Sequence, residues 1–185
     1  MPAFYLTLMA VLLAGIGARD QVIVAGLTQR QGARPGVLIV ALLSAVLAGA
    51  LAGWAAALML AELPPPARQI FAAIALGLAG LESMAWAPRP DPREPTNSLG
   101  ALLLVLLMHQ IADAPRFLVF GMGVGLAGPV PAGLAGVLGG SALVAFAWFQ
   151  PHLFSTPAAR WTRRIVGAAL VLAALAAVLE IFNLV

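Results

Sequence analysis

The chain has 185 residues, of which 62% are hydrophobic and only 9% are charged, and its mean hydropathy is +1.01. Soluble domains carry about 25% charged side chains, so this composition excludes an ordinary soluble enzyme, a nucleic-acid-binding module and a disordered tail. The net charge is +3, but the ten arginines are spread along the chain rather than clustered. Because the chain contains no cysteine, it has no disulfide framework and no thiolate metal site. We predict an all-α integral membrane protein.

Six apolar segments are long enough to cross a bilayer, which takes about 20 residues in a helix. The uncharged run from Phe117 to Pro151 is too long for one span, and the Gly-Pro-Val-Pro turn signal at residues 128–131 divides it. Residues 1–18 can also be interpreted as a cleaved signal peptide. The absence of a basic amino-terminal region and the apolar pattern that resumes at Val22 favour a span. In chain order, the predicted spans cover residues 3–27, 36–60, 68–87, 99–126, 129–149 and 164–184.

Arginine placement predicts the orientation of these spans. The loops after spans one, three and five carry seven arginines, whereas the opposite side carries only Arg68. Because basic loops stay in the cytoplasm, both termini are predicted on the non-cytoplasmic side of a bacterial-type inner membrane. The seven arginines are Arg30, Arg34, Arg89, Arg93, Arg160, Arg163 and Arg164.

An internal repeat is visible when the chain is aligned with itself. At an offset of 95 residues Gly26 falls on Gly121, and at an offset of 94 Trp54 falls on Trp148. The offset barely drifts across three spans. We therefore predict that residues 1–92 and 93–185 are two copies of a three-helix unit.

Because three is an odd number of spans, the second copy enters the membrane from the opposite side. Six transmembrane helices arranged as two inverted repeats are common in secondary transporters, whose substrate sites lie near the bilayer midplane on interrupted helices. The alternative is a duplicated structural bundle that transports nothing.

Charged interruptions occur at matching places in spans one and four. Residues 14–21 read AGIGARDQ and residues 109–117 read HQIADAPRF. Gly15 and Gly17 loosen the first helix, and Pro115 removes a backbone donor from the second. A charge at membrane depth costs about 3 kcal/mol or more unless it is paired or hydrated, so these residues are candidates for function.

Charge neutralisation is the structural alternative for these interruptions. Asp113 and Arg116 are three residues apart and can pair on one helix, or Arg19 and Asp20 can pair with them across the pseudo-axis. Such pairs would stabilise the bundle without transporting anything.

The second interruption resembles the motif of the Golgi-type manganese/calcium–proton exchangers. These are small six-span proteins in which each three-span half carries Glu-x-Gly-Asp-(Lys/Arg)-(Ser/Thr). Residues 110–113 read Gln-Ile-Ala-Asp, so Asp113 matches the aspartate of the motif and Gln110 replaces its glutamate.

The first interruption matches the same motif in part. Gly17 and Arg19 match its glycine and its basic residue. Gly15 and Ala18 stand at its two acidic positions, and Asp20 stands at its hydroxyl position.

The resemblance implies a six-span transporter that exchanges a divalent cation for protons. The candidate ligands of the transported ion are Asp113, Gln110, Asp20 and Gln21. Arg19 and Arg116 would act as internal cations that compete for the carboxylates, and His109 is a candidate proton relay.

Two other functions stay open, because two carboxylates and two guanidiniums sum to zero charge. Arg19 and Arg116 can instead bind the carboxylate of an exported anion or amino acid. The chain can also be a non-transporting family member that acts as a membrane scaffold or partner subunit.

The remaining residues carry few functional signals. Glu82 and Glu180 are interpreted as interfacial, and no catalytic or phosphate-binding motif is present, so we predict neither an enzyme nor a cofactor. The predicted partners are the lipid bilayer and an inorganic ion or small solute, with no nucleic acid. Two halves in one chain make a monomer sufficient, and a homodimer stays open.

Overall fold

A computed structural model describes residues 2–85 and 98–183, and within them the chain forms eight α-helices and no β-strand. The prediction of an all-α protein is confirmed for this part of the chain. The predicted repeat boundary at residues 92 and 93, together with Arg89 and Arg93, lies outside the described residues. In chain order the helices are α1 (Pro2–Ala14), α2 (Arg19–Gln31), α3 (Pro35–Glu62), α4 (Pro65–Ala85), α5 (Leu99–Ile111), α6 (Ala114–Gly125), α7 (Pro129–Phe149) and α8 (Pro157–Ile181). A 3₁₀ turn (Pro151–Ser155) precedes α8.

Proline marks where the long helices begin. Pro35, Pro65, Pro129 and Pro157 are the first residues of α3, α4, α7 and α8. Proline suits this position because its missing N–H has no intrahelical partner there and its fixed φ matches the helix.

Arg68 closes the tight turn between α3 and α4. Its Nε donates to the carbonyl oxygen of Leu63 at 2.8 Å, and its Nη2 donates to that of Leu60 at 3.3 Å. A cation among the last carbonyls of α3 is favoured by the helix dipole. The charge of Arg68 therefore interacts with the carbonyl groups at the end of α3.

Three helices of the described residues, α3, α7 and α8, are long and apolar enough to cross a membrane. The pairs α1/α2 and α5/α6 pass the same test together but bend by 53° and 54°, which gives up to five candidate spans. Helix α4, the third predicted span, is not among them, and it carries Arg68 and Glu82. These apolar helices indicate a membrane protein.

Helix α8 begins before the last predicted span, which covers residues 164–184. The helix begins at Pro157 and includes Arg163, whose exposed fraction is only 2%. A hydropathy pattern ends an apolar span at an arginine, although a helix can continue through an arginine whose charge is paired. Arg163 therefore does not count among the loop arginines that predict orientation.

Small residues let the long helices cross closely. A Cβ added at Gly53 of α3 would lie 2.8 Å from the Cα of Gly133 in α7. A Cβ added at Gly80 of α4 would lie 2.7 Å from the carbonyl oxygen of Gly167 in α8. Close backbone approach through small residues is typical of helix pairs in membranes.

The packing of the two bent pairs against α7 and α3 is reciprocal between the two halves of the chain, whereas α4 packs far more against α6 than α8 packs against α1. Helices α1 and α2 pack against α7, and α5 and α6 pack against α3. Each bent pair thus contacts a long straight helix from the other half. This arrangement brings the breaks of the two bent pairs toward the middle of the bundle.

Candidate functional site

The first break lies between α1 and α2 and depends on glycine. Gly17 has a φ of +75°, a conformation that L side chains rarely adopt. Its N–H donates to Oε1 of Gln21 at 2.9 Å, so the side chain of Gln21, a predicted ion ligand, bonds to the backbone at the break. The Nε2 atom of Gln21 is buried and has no hydrogen-bond partner.

The second break lies between α5 and α6 and ends at an aspartate cap. Asp113 stands just before α6, and its Oδ1 accepts a hydrogen bond from the N–H of Ala114 at 3.0 Å. Pro115 follows in the first turn, where its missing donor does no harm. Both predicted interruptions are therefore breaks in the described structure.

A glutamine joins the two breaks. Nε2 of Gln110 donates to Oδ2 of Asp20 at 2.9 Å and to Oγ of Ser44 at 3.3 Å. Oε1 of Gln110 accepts a hydrogen bond from Nη2 of Arg116 at 3.3 Å. The neutral amide therefore lies between a carboxylate and a guanidinium that come from different halves of the chain.

Two carboxylates and two guanidiniums form a second cluster beside this contact. Nη2 of Arg163 donates to Oδ1 of Asp113 at 2.9 Å and also to Oε2 of Glu82. Oε1 of Glu82 accepts from Nη2 of Arg19 at 3.0 Å. The N–H of Ala114 donates to Oε2 of Glu82 at 3.4 Å, which ties the cluster to the start of α6.

Together these groups make one buried polar network, which we define as Arg19, Asp20, Glu82, Gln110, Asp113, Arg116 and Arg163. Its three carboxylates and three guanidiniums sum to zero formal charge. The exposed fractions of Asp20, Asp113 and Arg116 are 6%, 2% and 5%. Buried ions of this kind persist only when they are paired and hydrogen-bonded.

The network lies well inside the bundle. Ser44 is nine residues from the start of α3 and Gly140 is nine residues from the end of α7. At 1.5 Å per residue, Ser44 lies about 14 Å from the start of α3 and Gly140 about 14 Å from the end of α7.

Arg116 packs against a glycine of α7. A Cβ added at Gly140 would lie 2.8 Å from Nη2 and 3.1 Å from Nη1 of Arg116. Only glycine leaves room for the guanidinium in this position.

The ion pairs match the two predicted alternatives only in part. Those alternatives were Asp113 with Arg116 on one helix, or Arg19 and Asp20 with these two residues across the axis. Asp20 and Arg116 do attract each other across the axis. Asp113, however, binds Arg163, because it caps α6 and directs its carboxylate back into the break, whereas Arg116 lies one turn inside α6. Asp20 is held by the Gln110 amide.

Two members of the network were not predicted. Glu82 was interpreted as interfacial, yet it binds both Arg19 and Arg163, and its side chain is only 10% exposed. Arg163 was counted as a loop residue. Pro157, a typical helix start, is the sequence signal that would have placed Arg163 inside α8.

His109, the candidate proton relay, is partly exposed beside Gln110. Within residues 2–85 and 98–183 it makes no hydrogen bond to the network.

Several buried nitrogen atoms of the network have no hydrogen-bond partner. They include Nε of Arg116 and both Nε and Nη1 of Arg163, in addition to Nε2 of Gln21. A buried donor without an acceptor costs about 1–3 kcal/mol unless water or a ligand satisfies it. These nitrogen atoms can therefore donate hydrogen bonds to further oxygen atoms, from water or from a ligand.

The carboxylates do not form a ready-made metal site in this conformation. Among the described residues no group of three or more His, Cys, Asp or Glu is placed to hold a metal ion. Hard divalent cations prefer several oxygen ligands with net negative charge. A divalent substrate would have to displace guanidiniums from Asp113 and Glu82.

Comparisons with known proteins assign no family. The chain matches no protein-family model, no curated protein and no solved structure.

Proposed function

We propose that the chain is a small secondary transporter that exchanges a cation for protons, and that the buried network is its site. The observation that carries this proposal is the 2.9 Å contact between Nε2 of Gln110 and Oδ2 of Asp20, which joins the breaks of two bent helix pairs. Interrupted helices that meet inside a bilayer are where secondary transporters bind their substrates. Buried charges at this depth are costly, which supports a function for them.

The proposed topology has six crossings made by two inverted three-helix repeats. The near-equal bends of 53° and 54° and the reciprocal packing against α3 and α7 support it. With 21 residues, α4 is about 31 Å long and can cross, because Arg68 lies in its first turn and Glu82 is paired. Both termini would face away from the cytoplasm in a bacterial-type inner membrane.

Protons and the cation would compete for the carboxylates of Asp20, Glu82 and Asp113. Arg163 and Arg19 are the resident counter-charges of Glu82 and Asp113, a role that the sequence assigned to Arg19 and Arg116. A carboxyl group that carries a proton cannot ligate the cation, so binding of the cation releases a proton from any of these three groups that is protonated, while the displaced guanidiniums keep their charge. Rocking of one repeat against the other would expose the site to each side in turn.

Flux in proteoliposomes tests this proposal. Purified protein is reconstituted with an imposed proton gradient, and Mn²⁺ or Ca²⁺ uptake is followed with an enclosed indicator. We expect gradient-driven uptake that Asp20→Asn and Asp113→Asn abolish. Glu62→Gln is the matched control, because Glu62 is exposed at the end of α3. Absence of flux with every cation tried would contradict the proposal.

Transport of a small anion is a second candidate, favoured by the unpartnered donors. Nε of Arg116 and Nε2 of Gln21 are buried without acceptors, and an anion supplies acceptors. In the same liposomes, flux of a carboxylate solute that Arg116→Gln abolishes would favour this candidate over the cation. Tolerance of all three substitutions with no flux would favour a membrane scaffold or partner subunit.

A further inference from the structure

A cavity of about 630 Å³ opens between α1, α4, α6 and α8. It lies at the end of the bundle where α6 and α8 end and α4 begins. Its α4 wall runs from Gln69 to Leu76. Among the described residues that line it, Glu180 alone is charged, and Gln69 and Asn183 are polar.

A thin apolar layer separates this cavity from the buried network. Ala14, Ala79, Ala114 and Leu118 form a buried cluster, which we call the plug, and Leu76 packs against it. Leu76 also lines the cavity. Along α4 the order is therefore cavity, plug and then Glu82, and the six residues from Leu76 to Glu82 span about 9 Å.

The plug is attached to both breaks. Ala14 is the last residue of α1, and Ala114 is the first residue of α6, directly after Asp113. A change of bend at either break must therefore move the plug.

We propose that the cavity is a water-filled vestibule through which a cation reaches Glu82 and Asp113, that Glu180 attracts cations into it, and that the plug closes it in the conformation described here. The proposal deepens the proposed function and rests on it, because it adds the access route to that same site. A lipid chain is the alternative occupant of such a cavity. The polar groups of Gln69, Glu180 and Asn183 favour water and a cation.

The natural absence of cysteine allows a direct test. Single-cysteine variants Ala72→Cys and Ala177→Cys place a thiol at the cavity wall. Ile74→Cys and Leu175→Cys place one on the outer surface of the same two helices, where the native side chains are 55% and 54% exposed. Ala79→Cys places one in the plug.

Membrane-impermeant methanethiosulfonate reagents are applied to right-side-out and to inside-out vesicles. The cavity positions should react in one vesicle orientation only, at least about tenfold faster than the lipid-facing positions, because thiolates form in water and not in lipid. Ala79→Cys should stay unreactive. Cavity positions as slow as the lipid-facing controls would show a lipid-filled groove and overturn the proposal. If Ala79→Cys reacts as fast as Ala72→Cys, the plug does not close the cavity, and that part of the proposal is contradicted.

The charge of the reagent tests the role of Glu180. At Ala177→Cys, one helical turn away, a quaternary-ammonium reagent should react about fivefold faster than a sulfonate reagent, after correction for their rates with a free thiol. Glu180→Gln should remove this preference, and Glu62→Gln should keep it. Equal rates with Glu180 intact would overturn the cation preference.

Labelling needs no transport, so the two proposals fail separately. Cation–proton exchange by a protein whose cavity cysteines do not react would contradict the vestibule and support the proposed function. Labelling as expected in a protein that moves no solute would support the water-filled cavity and contradict transport.

Discussion

At the scale of single residues, Arg163 is the clearest test of the network. One of its nitrogens binds both Asp113 and Glu82, so its removal leaves two buried carboxylates short of charge. We expect Arg163→Gln to lower stability by about 3–5 kcal/mol, the typical cost of breaking a buried ion pair. Thermal unfolding in detergent measures this loss.

The neighbouring arginine supplies the control for Arg163. Arg164 is exposed and lies 5.7 Å from the ring centroid of Trp161, so Arg164→Gln should change stability little. The double variant Glu82→Gln/Arg163→Gln should regain part of the loss, because the pair is removed together. Equal melting temperatures for the two single variants would contradict the network.

Gly140 is a second residue-scale test. Gly140→Ala places a Cβ against the guanidinium of Arg116, a residue that is only 5% exposed, so the guanidinium must shift from its contact with Gln110. We expect a loss of about 1–3 kcal/mol from overpacking, together with slower flux. In the control Gly77→Ala the nearest atom, Cβ of Ala174, is 3.7 Å away, so stability should hold or rise. Similar effects of the two substitutions would show that Gly140 does not position Arg116.

At the scale of elements, the break of the first bent pair depends on Gly17. Gly17 and Gly32 both have positive φ, +75° and +77°, but a Cβ at Gly17 would lie 3.1 Å from the carbonyl oxygen of Ala159 while a Cβ at Gly32 meets nothing within 4 Å. Each alanine substitution carries about 1–2 kcal/mol of backbone strain. Gly17→Ala should lose more stability than Gly32→Ala and should also slow flux. Equal losses, with flux retained, would show that the break does not matter for transport.

The elements also show where sequence reasoning succeeds and where it fails. Gly15, Gly17 and Pro115 predict the two breaks because glycine and proline act on the backbone locally. The start of α8 is missed because hydropathy treats Arg163 as outside the helix, although Pro157 marks the true start. A hydropathy pattern therefore fails to predict the part of a helix that contains a paired charge.

At the scale of the whole molecule, the network could be predicted only in part. The meeting of Asp20 and Gln110, 90 residues apart, is what the proposed repeat predicts, because that repeat places both breaks at corresponding positions. The contacts of Glu82 with Arg19 and Arg163 span 63 and 81 residues and have no counterpart in the repeat. They depend on how α4 packs against α6 and α8, which no local pattern encodes.

Topology is the whole-molecule prediction. The proposed six crossings would place both termini on the same side, which the arginine placement predicts to be the non-cytoplasmic side. Alkaline phosphatase fused to the carboxyl terminus should then be active, and green fluorescent protein fused there should be dark. A fluorescent protein inserted at Gly32, between α2 and α3, should be bright. Termini on opposite sides of the membrane would contradict the inverted repeat.

The central claim is that the buried carboxylates bind protons and a cation in competition, and proton release measures this directly. Mn²⁺ is added to weakly buffered, detergent-solubilised protein at mildly acidic pH, and a pH-sensitive dye follows the medium. We expect a saturable release of protons that disappears in Asp113→Asn and persists in Glu62→Gln. No release with any cation, or proton uptake on adding an anionic solute instead, would contradict the claim.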